Sequence, residues 1–284
     1  MVITTATPSR LLLHFPAQSS HLLPSTSKCK PRFHGVSNFD SSSFWSTTTS
    51  RPRALSTTCS LSDGITTKVA EVDCSLELKK KAADIVPILR GTSIFLVGTK
   101  SSVKSNVGKV LADALRYYYF DSDSVIEEAA GGELAAESLR ENDEEGYMKS
   151  VTEVLKELSS MGRLVVSAGD GAVQNSTNLG LLRHGISLWI DVPLDMVAKE
   201  MTGNQSQPPE SHSEVLNQLL ISYEELKGRY GTADARITLQ NVAGQLGHDA
   251  LDSITMEELA LQVLTEIEKL TRVKKMMEEA GQPF

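Results

Sequence analysis

Residues 93–109 read SIFLVGTKSSVKSNVGK, an apolar run that passes through a short polar loop into a helical pattern. A strand that feeds directly into a helix N-terminus commits a chain to few architectures, because the helix must cross over the sheet before the next strand can pair beside the first. The same alternation continues downstream. Continuous apolar runs predict strands at 93–97, 117–120, 164–167, 187–192 and 236–240. Helical periodicity predicts helices at 104–115, 124–130, 134–141, 147–160, 176–183, 194–201 and 213–227. Short, wholly apolar strands separated by helices imply a three-layer α/β fold, a parallel sheet with helices on both faces.

The flanks refine this picture. A charged helix over 75–89 is expected to stop near Pro87. A last helix starts at Thr255, where Thr255 and Glu258 form a capping box, and runs to about Glu279 before Gly281 and Pro283. Ser124 and Glu127 have the same spacing and predict a second capping box. Residues 203–214 (GNQSQPPESHSE) are polar and Pro-interrupted between two helical stretches, which fits either a mobile lid or an ordinary surface loop.

The first 60 residues have a different composition. They contain 22 Ser and Thr, six basic residues and one acid, Asp40. That is the acid-poor, hydroxyl-rich composition of an organellar transit peptide, and the Ser bias points to the plastid stroma. The expected division is a transit peptide over 1–58, a linker and lead-in helix over 59–91, the folded domain over 92–275 and a tail over 276–284. The chain carries a net charge of −8; the first 60 residues contribute +5, leaving −13 on the rest. Such an acidic body is a poor match for nucleic acid or an anionic membrane surface. No apolar run approaches the length of a membrane span. Cys29, Cys59 and Cys74 have no metal-like spacing.

The loop after the first strand carries the clearest chemistry. A phosphate-binding loop has the form G-x-x-x-x-G-K-[ST]. Gly98, Lys104 and Ser105 occupy three of its fixed positions, while Val103 stands where the second glycine belongs and Ser101 replaces a further probable glycine. Free N–H groups and the helix dipole would still point at an anion there. A β-branched residue is poorly suited to a positive-φ turn, so Val103 is expected to block the backbone that wraps a phosphate. Lys104 is then either a remnant phosphate contact or a solvated first-turn lysine. Asp121 and Asp123 follow the second strand and fit either magnesium and substrate binding or helix capping. Gly169-Asp170-Gly171 follows the third strand as a tight turn at the carboxyl edge of the sheet, where ligands of α/β folds bind.

From about residue 75 to 275 the chain resembles shikimate kinase, particularly the plant plastid enzyme. The matching segments are LELKKKAADIVPIL, SIFLVG, KSNVGKVLADAL, FDSD, VVSAGDGAV, HGISLWIDVPL and SITMEELA. The resemblance implies a P-loop fold of the nucleoside-monophosphate-kinase type that transfers the ATP γ-phosphoryl group to the 3-hydroxyl of shikimate. It places Gly98, Lys104, Ser105 and Asp121 at nucleotide and magnesium positions, and Asp123, Gly169 and Gly171 at substrate positions. It also exposes departures. Ser101 and Val103 replace loop glycines, Met148 replaces a substrate-binding arginine, and Asp170 interrupts a triple-glycine turn. Gln207 stands for the lid arginine and Leu226 for a late arginine, with Lys227 and Arg229 out of register.

Arginine holds a carboxylate with a two-pronged fork that Met148 and Leu226 cannot supply. The expectation is therefore an inactive shikimate-kinase-like protein with no catalytic residues and no metal. No cofactor is expected beyond at most weak ATP and magnesium binding. Its partners would be plastid proteins, with neither nucleic acid nor a membrane span involved. An active small-molecule kinase with another acceptor, and a nucleotide-binding sensor, are the alternatives. The resemblance implies a role in chloroplast biogenesis.

Overall fold

The computed structural model describes residues 64–203, 209–248 and 250–281. The predicted transit peptide and Gln207 lie outside these residues.

Five parallel strands form the centre: β1 (Ile94–Val97), β2 (Tyr118–Asp121), β3 (Leu164–Ser167), β4 (Ile186–Asp191) and β5 (Ala235–Thr238). They lie in the order β2-β3-β1-β4-β5. β1 is the central strand, with Ile94 opposite Val165 on one side and Ile186 on the other. This bears out the three-layer parallel α/β class. β1 and β3 are buried along their whole length, as strands covered on both faces must be.

Side chains alternate between the two faces. Ile94, Leu96, Val165, Leu188, Ile190 and Ile237 join one core cluster with Val107, Leu111 and Leu115 of α2 (Ser102–Leu115). Leu259, Val263, Leu264 and Ile267 of the last long helix, Met256–Ala280, complete it. Phe95, Val97, Leu164 and Val166 are buried on the opposite side.

The remaining helices are α3 (Ser122–Ala130), α4 (Glu133–Asn142), α5 (Glu144–Ser160), α6 (Ser176–Leu182), α7 (Leu194–Thr202), α8 (Pro209–Tyr230) and α9 (Leu239–Leu246). They follow α1 (Gly64–Leu89) and α2 and precede α10 (Met256–Ala280).

Four details depart from the sequence reading. α1 continues past Pro87 to Leu89, because Ile85 and Leu89 are almost fully buried and draw the last turn onto the core. α1 packs on α10 and α2, so residues 74–89 belong to the folded body rather than to a linker. α3 is capped by Asp121, whose carboxylate accepts from the N–H groups of Asp123 and Ser124. Ser124 therefore sits inside the helix and forms no capping box. Residues 239–246 form α9, capped by Thr238, where the sequence reading continued the strand.

The Thr255–Glu258 capping box is present in full. In the stretch 203–214, α8 begins at Pro209, an N-terminal position that suits proline. Residues 204–208 lie outside the described set.

Candidate functional site

The carboxyl ends of β1, β2 and β3 bring the predicted site residues together. Gly98 follows β1 with φ 131°, and a side chain there would run into the carbonyl of Ile190, so the position requires glycine. The chain then enters α2 through Ser101, which is extended (φ −156°, ψ 151°) and whose hydroxyl accepts from the Lys104 N–H at 3.3 Å. Val103 lies in the first turn of α2, half-buried against the core. Gly98 alone among the described loop residues has positive φ. The expected backbone strain at Val103 is therefore absent: the position is ordinary helix. What the valine changes is side-chain bulk at the loop.

Lys104 is not a solvated lysine. It is 2% exposed, and its ammonium donates to the carbonyls of Gly98 and Ala168, both at 2.7 Å. It thus ties the end of β1 to the end of β3. Burial lowers its pKa, opposed by the charges of Asp170, Asp123 and Asp121. A further contact arrives from α7, where Glu200 accepts from the Ser102 N–H and hydroxyl.

The acids after β2 have separate fates. One oxygen of Asp121 caps α3, and the other accepts from the hydroxyls of Ser105 at 3.3 Å and Tyr119 at 3.4 Å. Asp123 is pressed against Gly169, leaving no room for a side chain at that glycine. Burial raises the Asp123 pKa, with the Lys104 charge pulling the other way. The Gly169 N–H is held by the Ser122 hydroxyl at 2.9 Å.

A cleft of ≈ 540 Å³ opens beside these groups. Its lining includes six carboxylates (Asp123, Glu127, Glu133, Glu137, Glu141 and Asp170) and two cations, Lys100 and Arg140. Tyr147 also lines it, with Arg140 over its ring at 5.7 Å. Burial, then the Asp123 charge, raises the Tyr147 pKa. Asp170 is fixed by the buried Tyr230, whose hydroxyl donates at 2.8 Å, and burial followed by that carboxylate raises the Tyr230 pKa. Met148 lies near Gly171 on α5 and donates no charge. Leu226 is half-buried on α8. Arg229 donates to the carbonyls of Val173 and Gln174, and Lys227 pairs with Glu224. Neither cation is among the residues that line the cleft.

A family profile described as shikimate kinase matches residues 100–268. The chain is 58% identical over 207 residues, 73% of its length and 73% of the relative's, to a protein named "Probable inactive shikimate kinase like 1, chloroplastic" from Arabidopsis thaliana. This chain belongs to the shikimate kinase family. It is also 36% identical over 222 residues to shikimate kinase 3, chloroplastic, of Oryza sativa subsp. japonica, covering 75% of this chain and 77% of that one. Among solved structures, a shikimate kinase from Bacteroides thetaiotaomicron superposes with a TM-score of 0.51 at 23% identity. That likeness covers 63% of this chain and 98% of that one, and it supports the shared fold.

Within this family frame, the residues as arranged do not fit a nucleotide phosphate tail. The Lys104 ammonium and the Ser102 and Lys104 N–H groups already have protein partners. Ser105 and Asp121 remain adjacent and could hold magnesium between them. Sequence reasoning missed Glu200, Arg140 and the Tyr230–Asp170 bond. Arg140 had a readable signal, a cation on a helix that follows the acidic pair. Glu200 had none.

Proposed function

We propose that this chain is a catalytically silent member of the shikimate kinase family that acts in the plastid by binding rather than by phosphoryl transfer, in support of chloroplast biogenesis. The observation that carries the reading is the charge of the cleft. Shikimate is a carboxylate, and the wall it would face holds six carboxylates, with Asp170 locked in place by Tyr230. Two unit charges of like sign 4 Å apart repel by about 4 kcal/mol at an effective dielectric near 20. Lys100 and Arg140 offset part of this, but Met148 and Leu226 supply no fork for the carboxylate.

The chloroplastic names of the plant relatives and the hydroxyl-rich, acid-poor first 60 residues support a plastid location. Among the described residues no helix is long and apolar enough to cross a membrane. Plastid proteins are the partners this reading favours, and the −13 charge of residues 61–284 disfavours nucleic acid.

The test is a coupled ADP-release assay on the full chain with ATP, magnesium and shikimate. Background rates are expected. Turnover in the kinase range of about 1–100 s⁻¹ would refute the proposal. Residues 1–60 fused to a fluorescent reporter should accumulate in plastids, and a cytosolic or mitochondrial signal would overturn that part. The adjacency of Ser105 and Asp121 favours a second reading, a sensor that binds nucleotide with magnesium without transferring phosphate. Saturable ATP binding that depends on magnesium, without turnover, would select it.

A further inference from the structure

The phosphate loop of this chain already holds an anion, supplied by the chain itself. Glu200 in the last turn of α7 reaches across to the first turn of α2, 98 positions away in sequence. Its Oε1 and Oε2 accept from the Ser102 N–H at 2.8 and 3.0 Å, and Oε2 accepts from the Ser102 hydroxyl at 3.0 Å. A carboxylate straddling an N–H at the start of a 14-residue helix is placed as a phosphate oxygen pair would be, where the dipole and the free donor both favour negative charge.

Three neighbouring donors are taken as well. The Lys104 N–H goes to the Ser101 hydroxyl, the Ser105 N–H to the Ser101 carbonyl, and the Lys104 ammonium to two carbonyls. A phosphate entering this loop would have to displace Glu200 and would meet its charge while doing so. We propose that Glu200 is an autoinhibitory side chain, an internal stand-in for phosphate that keeps the vestigial nucleotide loop shut. The inference rests on the reading of this loop as the family's nucleotide loop.

The contact is exposed to solvent, so water competes for it and its displacement has a finite effect. Replacing one charge-assisted carboxylate contact corresponds to about a tenfold change in anion affinity. The experiment is calorimetry on the full chain with magnesium ADP and, separately, inorganic pyrophosphate. The variants are Glu200→Ala, Glu200→Gln and a control, Lys199→Ala, at the exposed neighbouring position of α7.

Glu200→Ala should bind both probes about tenfold or more tightly than the unaltered chain, Glu200→Gln should gain less, and Lys199→Ala should gain nothing. A gain with ADP but not pyrophosphate would locate the effect away from the phosphates and overturn the proposal. So would the absence of any gain in a variant that unfolds at the usual temperature. If Glu200→Ala does not fold, Glu200→Gln decides. Amide hydrogen exchange gives a second reading. Ser102 should be protected in the unaltered chain, and fast exchange there would show that the carboxylate does not hold it. The two proposals fail separately: shikimate turnover by the unaltered chain defeats the silent-kinase reading, whereas tight ADP binding by the unaltered chain without turnover defeats the Glu200 proposal alone.

Discussion

Replacing Lys104 by methionine distinguishes a lysine that waits for phosphate from one that holds the fold. Methionine keeps most of the side-chain length and removes the ammonium. In the structure that ammonium satisfies two carbonyls, of Gly98 and Ala168, in a site 2% exposed. Leaving a buried acceptor without a donor costs about 1–3 kcal/mol each. Against this stands relief from burying a charge, which the lowered Lys104 pKa shows to be a real cost. The net expectation is a loss of about 2 kcal/mol, a fall in Tm of about 4–8 °C for a domain of this size.

The pH dependence reads the burial penalty separately. A folded-state pKa below the ordinary value of 10.5 means the unfolded chain keeps its proton where the folded chain has lost it. The stability of the unaltered chain therefore rises with pH from the folded value up to 10.5, and the methionine variant lacks this rise. Its deficit should widen across that window. Chemical denaturation of both proteins at several alkaline pH values reads it directly. A methionine variant as stable as the parent at neutral pH would refute the tethering role, and a deficit that narrows as pH rises would show that the folded protein favours the charged ammonium despite its burial.

Tyr230→Phe removes the donor from Asp170 and should cost about 1–3 kcal/mol by denaturant titration; adding Asp170→Gly should recover most of that, and additive losses in the double-mutant cycle would deny the coupling. Val103→Gly should destabilise the protein by about 1–2 kcal/mol, through helix propensity and lost packing, because the position is helical and half-buried. By itself it should leave ATP binding weak in calorimetry, since Glu200 and Ser101 still occupy the loop donors; a large gain in affinity would show that valine bulk is the principal obstacle.

The layers of the fold were legible because period alone specifies them. Apolar strands such as Ile94–Val97 and Leu164–Ser167 are covered on both faces, and each lies within a residue of its expected bounds. α9 carries its own signal in the sequence: Leu239, Val242, Ala243 and Leu246 recur at helical spacing behind a capping Thr238. The second capping box failed for a different reason. Ser124 and Glu127 have the right spacing, but the Asp121 carboxylate at the strand end starts the helix earlier and takes the Ser124 N–H that the box would have used. Lys104, Asp123 and the glycine turn could be named from the sequence, whereas their state could not. Lys104 is decided by a carbonyl 64 positions away, Asp170 by a hydroxyl 60 away and Ser102 by a carboxylate 98 away. No local pattern encodes such pairings.

On the silent-kinase reading proposed above, these long-range partners bear on how the fold would persist without transfer chemistry. A working site keeps polar groups poised for a ligand, and each one left waiting in a buried place weakens the fold. Here much of that burden is met from within. Among the described residues no buried side-chain nitrogen or oxygen at this site lacks a partner, and the Lys104, Asp121 and Asp170 side chains are all held by the protein itself. Ligand binding is therefore not required to satisfy these three side chains. The substitutions at Ser101 and Asp170 act in the same direction, since each adds a side chain that makes an internal hydrogen bond where glycine would make none. Restoring the arginines alone would thus meet a site already closed on itself. On the same reading, phosphoryl transfer would require the internal bonds of Glu200 and Tyr230 to be undone together with cations at the positions of Met148, Gln207 and Leu226.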